Sequence, residues 1–290
     1  MSEAYDVKPP QKVAIFWQIV VAILVFIYFE LGYLWSGSGH GPYDSISASF
    51  AIDDAIPLVP FFIVFYMLGY LFVFLPCFLL KEKSEFFWGV VTFILMLSVS
   101  FLIFKYYPIH MYKTYAVGSD GFSKLTYFQQ KADVSYNNCP SLHVALNLFS
   151  WLILLHRWPK VVVWVIPLPI LIILSTLFVK QHLVIDVVGG VCVALFGYFF
   201  WRGLVKYLRD YATIGFGVCL VLIVSILVMS HRQLSLVGRI VGSFVENAYH
   251  SMPIITSVVL TVIIVAIFIG ILVELFRLYK GISLKLVKRN

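Results

Sequence analysis

Eight long apolar runs dominate the chain, and shorter polar or charged segments separate them. They occupy residues 13–35, 56–80, 86–107, 141–156, 161–179, 183–200, 213–230 and 253–276. A helix needs roughly 20 apolar residues to cross a bilayer core about 30 Å thick, so each run predicts a membrane-spanning helix. The fourth run is short, and Pro167 and Pro169 interrupt the fifth. The pattern predicts an all-α integral membrane protein, a helical bundle of about eight transmembrane spans.

The composition supports the same class and excludes a water-soluble fold. Of the 290 residues, 61% are hydrophobic and 12% are charged, and the mean hydropathy is +0.96. Soluble domains carry about 25% charged residues. The net charge of +7 is assigned to residues that flank the spans, and no nucleic-acid partner is expected. Three of the four cysteines fall inside apolar runs, so no disulfide framework is expected.

The distribution of positive charge predicts the orientation in the membrane. An even number of spans puts both termini on one side. Fourteen of the 21 lysines and arginines lie on that side and seven on the other, so the positive-inside rule predicts cytoplasmic termini. The polar clusters described below are then expected on the extracytoplasmic side of the plasma or inner membrane.

Three segments are predicted along the chain. They are a cytoplasmic N-terminus at residues 1–12, a six-span catalytic core at 13–200, and two additional spans with a basic cytoplasmic tail at 201–290. The longest polar loop covers residues 108–140. Loops of this length inside a compact domain are often functional.

A histidine and an aspartate stand four residues apart in the segment KQHLVID, residues 180–186. Residues with this spacing share one face of a helix, so His182 and Asp186 are expected about one turn apart on the sixth span. The carboxylate can hold one ring nitrogen and leave the other free to attack. Taken alone, His182 is more simply an interfacial histidine. The carboxylate inside a span favours a functional pair.

A second polar cluster, the segment CPSLH at residues 139–143, begins the fourth span. Ser141 follows Pro140, an arrangement typical of a helix start, where unpaired N–H groups and the helix dipole can hold a phosphate. His143 falls in the first turn, in a position to donate a proton to a leaving oxygen. Without His143, Ser141 would be read as an ordinary N-cap.

The two motifs, with Ser175-Thr176 between them, resemble the type 2 phosphatidic acid phosphatase superfamily, and are closest to its branch that includes inositol phosphorylceramide synthases. The segment DAIPLVP at residues 54–60, with Tyr66 beyond it, also resembles that branch. The resemblance covers roughly residues 53–200.

The resemblance implies a role for each residue of the two motifs. His182 is the nucleophile, Asp186 orients it, and His143 protonates the leaving group. Ser141 is implied as a phosphate ligand, and the chemistry needs no metal or other cofactor.

This chain departs from the common pattern of the family at three places. The family has an upstream Lys…Arg-Pro segment that Lys105 and Lys113, around Pro108, match only loosely. Leu142 stands where the family has glycine, and Ser175-Thr176 stands where it has Ser-Arg. The missing arginine removes a bidentate phosphate clamp. Three lysines are expected to supply the positive charge instead: Lys180, Lys113 and Lys105.

The activity implied is that of a membrane lipid-phosphate phosphatase or phosphotransferase, cleaving a phosphoester or pyrophosphate through a phosphohistidine. Water as acceptor makes a phosphatase, and a lipid or inositol-type hydroxyl makes a headgroup transferase of the inositol phosphorylceramide synthase type. Both stay open. A lipid or ion transporter with a histidine/aspartate path is the alternative class, which the lack of repeated halves disfavours. The expected partners are the bilayer and a lipid phosphate substrate.

Overall fold

The computed structural model of the chain describes residues 11–40, 45–133, 135–218 and 220. Its helices with both ends described are α1 (Ile15–Gly37), α2 (Ala51–Ala55), α3 (Ile63–Phe72), α4 (Leu75–Leu79), α5 (Lys83–Tyr106), α6 (Gly121–Ala132), α7 (Leu142–Arg157), α8 (Pro159–Val162), α9 (Pro167–Phe178) and α10 (Val184–Tyr207). Single 3-10 turns occur at Pro60–Phe62, Val163–Val165 and Arg209–Tyr211. Two short strands, β1 (Ile46–Ser47) and β2 (Ile109–His110), pair in parallel.

In the described part of the chain, four segments are long and apolar enough to cross a bilayer: Ile15–Gly37, Pro60–Leu79, Lys83–Tyr106 and Val184–Tyr207. A fifth consists of two helical pieces that meet at a bend of 41° just before Pro167. Proline lacks an amide hydrogen and its ring disturbs the preceding turn, which accounts for the bend. Helix α7 is apolar but has only 16 residues.

These six segments coincide with the first six predicted spans. The predicted spans at residues 213–230 and 253–276 lie outside the described residues, apart from 213–218 and 220. The total of eight spans therefore stays a prediction, as does the division of the chain at residue 200.

Helix α7 lies at the centre of the helix packing. It contacts α10, α9, α3 and α5, and most of its residues are buried. Helix α10 approaches the start of α7 closely at Gly190, where an added Cβ atom would lie 2.6 Å from the carbonyl oxygen of Ser141. The amide of Ser141 donates a hydrogen bond of 2.9 Å to the main-chain oxygen of Asp186. The starts of the two helices that carry the histidine motifs are therefore joined directly.

The long polar loop between α5 and α7 is folded onto this same end of the bundle. Asp120 caps α6, since its Oδ1 atom accepts hydrogen bonds of 3.0 Å from the amides of Phe122 and Ser123. Near the other end of α6, Gln130 donates a hydrogen bond of 2.9 Å to the main-chain oxygen of Val179, just beyond α9. The loop thus lies beside the region where α7 and α10 begin.

Candidate active site

The segment before α10 carries His182. The histidine lies outside the helix, which begins at Val184, so it does not share the face of the sixth span as the sequence predicted. It still reaches Asp186: the Nδ1 atom of His182 lies 3.5 Å from the Oδ2 atom of the carboxylate. Helical side chains lean toward the N-terminus, and Asp186, in the first turn, can therefore reach back. With Nδ1 facing the carboxylate, Nε2 is the ring nitrogen left for another partner.

Two carboxylates complete the hydrogen bonding at the start of α10. Oδ2 of Asp186 accepts a hydrogen bond of 2.8 Å from the amide of Leu183. Oδ1 of Asp53, on α2, accepts one of 2.7 Å from the amide of Val184. The first amides of a helix have no partner within it, and the helix dipole favours negative charge there. Asp53 therefore attaches α2 to the helix that carries Asp186.

At the start of α7, Ser141 is the N-cap, since its Oγ atom accepts a hydrogen bond of 3.3 Å from the amide of Val144. His143 lies in the first turn, where the sequence predicted it. Its ring stacks on Tyr66 of α3, with the ring centroids 4.2 Å apart and the planes inclined by 1°. Tyr70 meets the same ring edge-on, with a centroid distance of 5.3 Å. The Nε2 atom of His143 is buried and has no hydrogen-bond partner among the described residues.

A polar cavity of about 160 Å³ lies beside His182. The carboxylates, lysine and histidines that line it are Asp53, Asp54, Lys180, His182 and His110. Hydroxyl-bearing side chains also line it, from Ser47, Ser49, Tyr112 and Thr114. His143 and Ser141 are not among the lining residues. The structure therefore brings His182 and Lys180 to one cavity, whereas the two residues of α7 lie outside it.

Lys180 has a left-handed backbone, with φ of 53°. This conformation costs a residue other than glycine about 1–2 kcal/mol. The Nζ atom donates a hydrogen bond of 2.7 Å to the main-chain oxygen of Asp53. Within the described residues, Lys180 forms no ion pair, so its positive charge at the cavity wall is available to an anion.

The other two lysines predicted to bind phosphate have partners elsewhere. Nζ of Lys113 lies 3.2 Å from Oδ2 of Asp133, and the lysine side chain is only 2% exposed. Nζ of Lys105 donates a hydrogen bond of 2.7 Å to the main-chain oxygen of Ser38 and lies 5.6 Å from the ring centre of Trp35. Neither lysine lines the cavity beside His182. Their assignment as phosphate ligands stays a prediction.

Outside the membrane-spanning segments, two ionisable groups that lie close to the site have shifted pKa values. Burial, followed by the charge of Lys113, lowers the pKa of His110, which favours its neutral form at the cavity wall. Burial, reinforced by Asp186, raises the pKa of the Cys139 thiol to about 11, so the thiol stays protonated at neutral pH. Across the described residues, no group of three or more His, Cys, Asp or Glu side chains is arranged to hold a metal ion.

Apolar helices that can cross a bilayer, together with a histidine that lies 3.5 Å from a carboxylate where one of them begins, define a multi-pass membrane protein with a candidate phosphoryl-transfer site. The chain belongs to the PAP2 superfamily, which matches residues 48–200, more than half of its 290 residues. Membership makes it an enzyme of the phosphoesterase kind. It confirms the predicted superfamily, whereas the branch with inositol phosphorylceramide synthases stays a prediction. Searches among curated proteins and solved structures gave no match.

Several residues at the site were not assigned a role from the sequence. Asp53 lies just ahead of an apolar run, and its neighbour Asp54 lines the same cavity. Tyr66 and Tyr70, four residues apart within the second span, contact His143. In the sequence, these residues are marked only by a polar group inside or next to an apolar run. Such a group indicates a buried polar contact but does not identify its partner.

Proposed function

We propose that the protein is a membrane lipid-phosphate phosphatase or phosphotransferase that forms a phosphohistidine on His182. The approach of 3.5 Å between Nδ1 of His182 and Oδ2 of Asp186 carries the proposal. A carboxylate at Nδ1 keeps the proton on that nitrogen, presents the lone pair of Nε2, and stabilises the imidazolium formed on attack. Membership of the PAP2 superfamily supports phosphoester chemistry.

The reaction has two steps. In the first, Nε2 of His182 attacks phosphorus in line with the leaving oxygen. The N–P bond forms as the P–O bond breaks, and the leaving oxygen takes a proton from the imidazolium of His143. In the second, water or an alcohol gives its proton to His143 and attacks phosphorus. The N–P bond then breaks and His182 is neutral again.

The proposal assigns the phosphate oxygens to Lys180 and to the start of α7 at Ser141. Lys180 supports this because its charge lies at the cavity beside His182 without an ion pair within the described residues. A helix start favours an anion through its dipole and its outward N–H groups. Lys113 and Lys105 contribute positive potential from outside the cavity.

The proposal includes an active site on the extracytoplasmic side of a cell membrane, reached by a lipid from the outer leaflet. The charge distribution supports this orientation. Arg157 ends α7, Lys160 follows it, and Lys206 lies in the last turn of α10, all at the end away from His182. This is the side that carries fourteen of the 21 lysines and arginines, and the positive-inside rule assigns it to the cytoplasm.

The acceptor in the second step can be water or an alcohol. The cavity beside His182 supports an acceptor with several hydroxyl groups as well as water, because the carboxylate of Asp54 and the hydroxyl groups of Ser47 and Ser49 can each hydrogen-bond to a hydroxyl group. A headgroup transferase of the inositol phosphorylceramide synthase type is therefore the second candidate. Analysis of the products separates the two: a phosphatase releases inorganic phosphate, and a headgroup transferase moves the substituted phosphoryl group of a phosphodiester lipid to the acceptor hydroxyl and so produces a new phosphodiester.

A trapping experiment tests the shared intermediate. Purified protein is incubated with phosphorus-labelled lipid phosphates and quenched in alkali, because phosphohistidine is labile to acid. The wild-type protein should retain label that acid removes. His182→Ala should retain none, and Asp186→Asn should accumulate label far more slowly, since an amide does not stabilise the imidazolium.

The matched control is His156→Ala, which removes an exposed histidine at the other end of α7. It should label like the wild-type protein. Label that survives in His182→Ala would contradict the assigned nucleophile. Absence of label from the wild-type protein with every lipid tested would contradict the proposed intermediate. This is the result expected of a transporter.

A further inference from the structure

Asp53 makes three contacts that converge on the proposed active site. Its side chain is buried, with 6% of the residue exposed, and it lines the cavity beside His182. Oδ1 accepts the hydrogen bond of 2.7 Å from the amide of Val184, and Oδ2 accepts one of 2.9 Å from the amide of Phe50. Its main-chain oxygen accepts the hydrogen bond of 2.7 Å from Nζ of Lys180.

The contact with Val184 acts on the backbone just after His182. Val184 is the first residue of α10, and its amide has no partner inside the helix. Asp53 supplies that partner from a segment 131 residues away in the chain. The ring of His182 is attached to the backbone between this contact and the left-handed Lys180. The direction in which Nε2 points therefore depends on how firmly these two ends are held.

The contact with Phe50 holds Asp53 itself in place. The carboxylate and this amide close the first turn of α2. Both oxygens of the carboxylate are therefore used by backbone N–H groups, one on α2 and one on α10. Charge-assisted hydrogen bonds of this kind are shorter and stronger than neutral ones, and a carboxylate that accepts from both segments joins them rigidly.

We propose that Asp53 is a positioning residue for phosphoryl transfer. Its carboxylate holds the start of α10, and with it the direction of His182, while its main-chain oxygen holds Lys180 at the cavity wall. This inference rests on the proposed function of His182 and adds α2 to the active site. Asp53 itself does not contact the phosphoryl group, and it transfers no proton in the reaction.

Asparagine at this position tests the claim, because an amide has a single acceptor oxygen. Asp53→Asn can accept from Val184 or from Phe50, and its NH2 group then faces the other donor. A misplacement of about 1 Å at a reacting group can cost on the order of 10²-fold in rate. Asp53→Asn should therefore form phosphohistidine about 10- to 100-fold more slowly than the wild-type protein.

A readout of geometry separates positioning from general destabilisation. The main-chain oxygen that holds Lys180 remains in Asp53→Asn, so competitive inhibition by inorganic phosphate, which forms no bond to Nε2 of His182, should change much less than the phosphorylation rate. Hydrogen exchange should become faster in the peptide of residues 182–187 and stay unchanged in α7. Asp53→Glu keeps the charge but moves the carboxylate by one methylene, and should lose less rate than Asp53→Asn.

The matched control is Asp120→Asn. Asp120 also accepts hydrogen bonds from two backbone amides at a helix start on the same side of the bundle, but it caps α6. Asp120→Asn loses the contact of Oδ2 with the hydroxyl group of Ser123. It should keep its phosphorylation rate within about 2-fold, because Asp120 caps a different helix and does not line the cavity beside His182.

The outcomes separate this inference from the proposed function. If the wild-type protein labels on His182 and Asp53→Asn labels at the same rate, the positioning role is overturned and the proposed function stands. If Asp53→Asn does not fold, equal rates for Asp53→Glu and the wild-type protein overturn it equally. If the wild-type protein forms no phosphohistidine, the proposed function fails and the inference fails with it.

Discussion

The imidazole ring of His143 and the phenol ring of Tyr66 lie parallel, with centroids 4.2 Å apart and planes inclined by 1°. The stacking joins α7 to α3. On the same helix as Tyr66, Gly69 leaves room for the imidazole edge: an added Cβ atom there would lie 2.2 Å from Nε2 of His143. The position of the proposed acid is therefore set by a ring on one side and by the absence of a side chain on another.

Tyr66→Ala should lower the turnover of alkyl phosphates about 3- to 10-fold, because loss of a stacked ring removes about 0.5–1.5 kcal/mol that orients His143. Tyr66→Phe keeps the ring and should stay near the wild-type rate. The aryloxide group of an aryl phosphate can leave with little protonation, so the turnover of aryl phosphates should fall less. Steady-state kinetics with the two substrate types checks this. Equal losses on both would show that Tyr66 does not act through His143.

Lys113→Met should reduce the free energy of unfolding by about 3 kcal/mol, because it leaves the half-buried carboxylate of Asp133 without its cation. Thermal unfolding in detergent measures the change. Lys124→Met, on the exposed face of α6, should leave the melting temperature nearly unchanged. Adding Asp133→Asn to Lys113→Met should recover part of the loss. An unchanged melting temperature with weakened substrate binding would instead identify Lys113 as a phosphate ligand.

Two substitutions of Lys180 should separate its charge from its backbone. Lys180→Ala and Lys180→Gly both remove the ammonium, and each should weaken vanadate binding by about 1.5–3 kcal/mol, roughly 10- to 150-fold. Only glycine relieves the left-handed conformation at φ of 53°, so Lys180→Gly should be more stable than Lys180→Ala by about 1 kcal/mol. Titration with vanadate and thermal unfolding check the two effects. Vanadate binding that survives both changes would remove Lys180 from the phosphate site.

The orientation in the membrane can be tested by cysteine labelling in a background without the native cysteines. Lys124→Cys, on α6 beside the active site, should react with an impermeant maleimide added to intact cells. Lys160→Cys, exposed between α7 and α9, should react only after the membrane is permeabilised. The reverse pattern would transfer the active site to the cytoplasmic side.

For most spans, the ends predicted from the sequence lie close to the ends of the helices in the structure. The first was predicted at residues 13–35 and is a helix from Ile15 to Gly37. The sixth was predicted to end at residue 200, but α10 continues to Tyr207. The prediction stopped where the apolar run meets Arg202 and Lys206. Arginine and lysine favour helices, and an ammonium or guanidinium group can reach the membrane surface while the helix continues.

The histidine and aspartate were predicted from their spacing, and the structure brings them to 3.5 Å. The predicted reason was wrong, because His182 precedes α10 instead of lying on it. Spacing alone does not show where a helix begins. Here the first amide of the helix donates its hydrogen bond to the carboxylate of Asp53, which lies far away in the sequence.

The sequence by itself determined the class of this protein and the identity of its two histidine motifs. Hydrophobic length and short spacings are local properties, and they can be read without knowing which segments meet. Tertiary structure alone decided which lysine lines the cavity, which ring holds His143, and that α2 belongs to the site. Those contacts join segments such as Asp53 and Val184, 131 residues apart, and they depend on how each helix is rotated in the bundle.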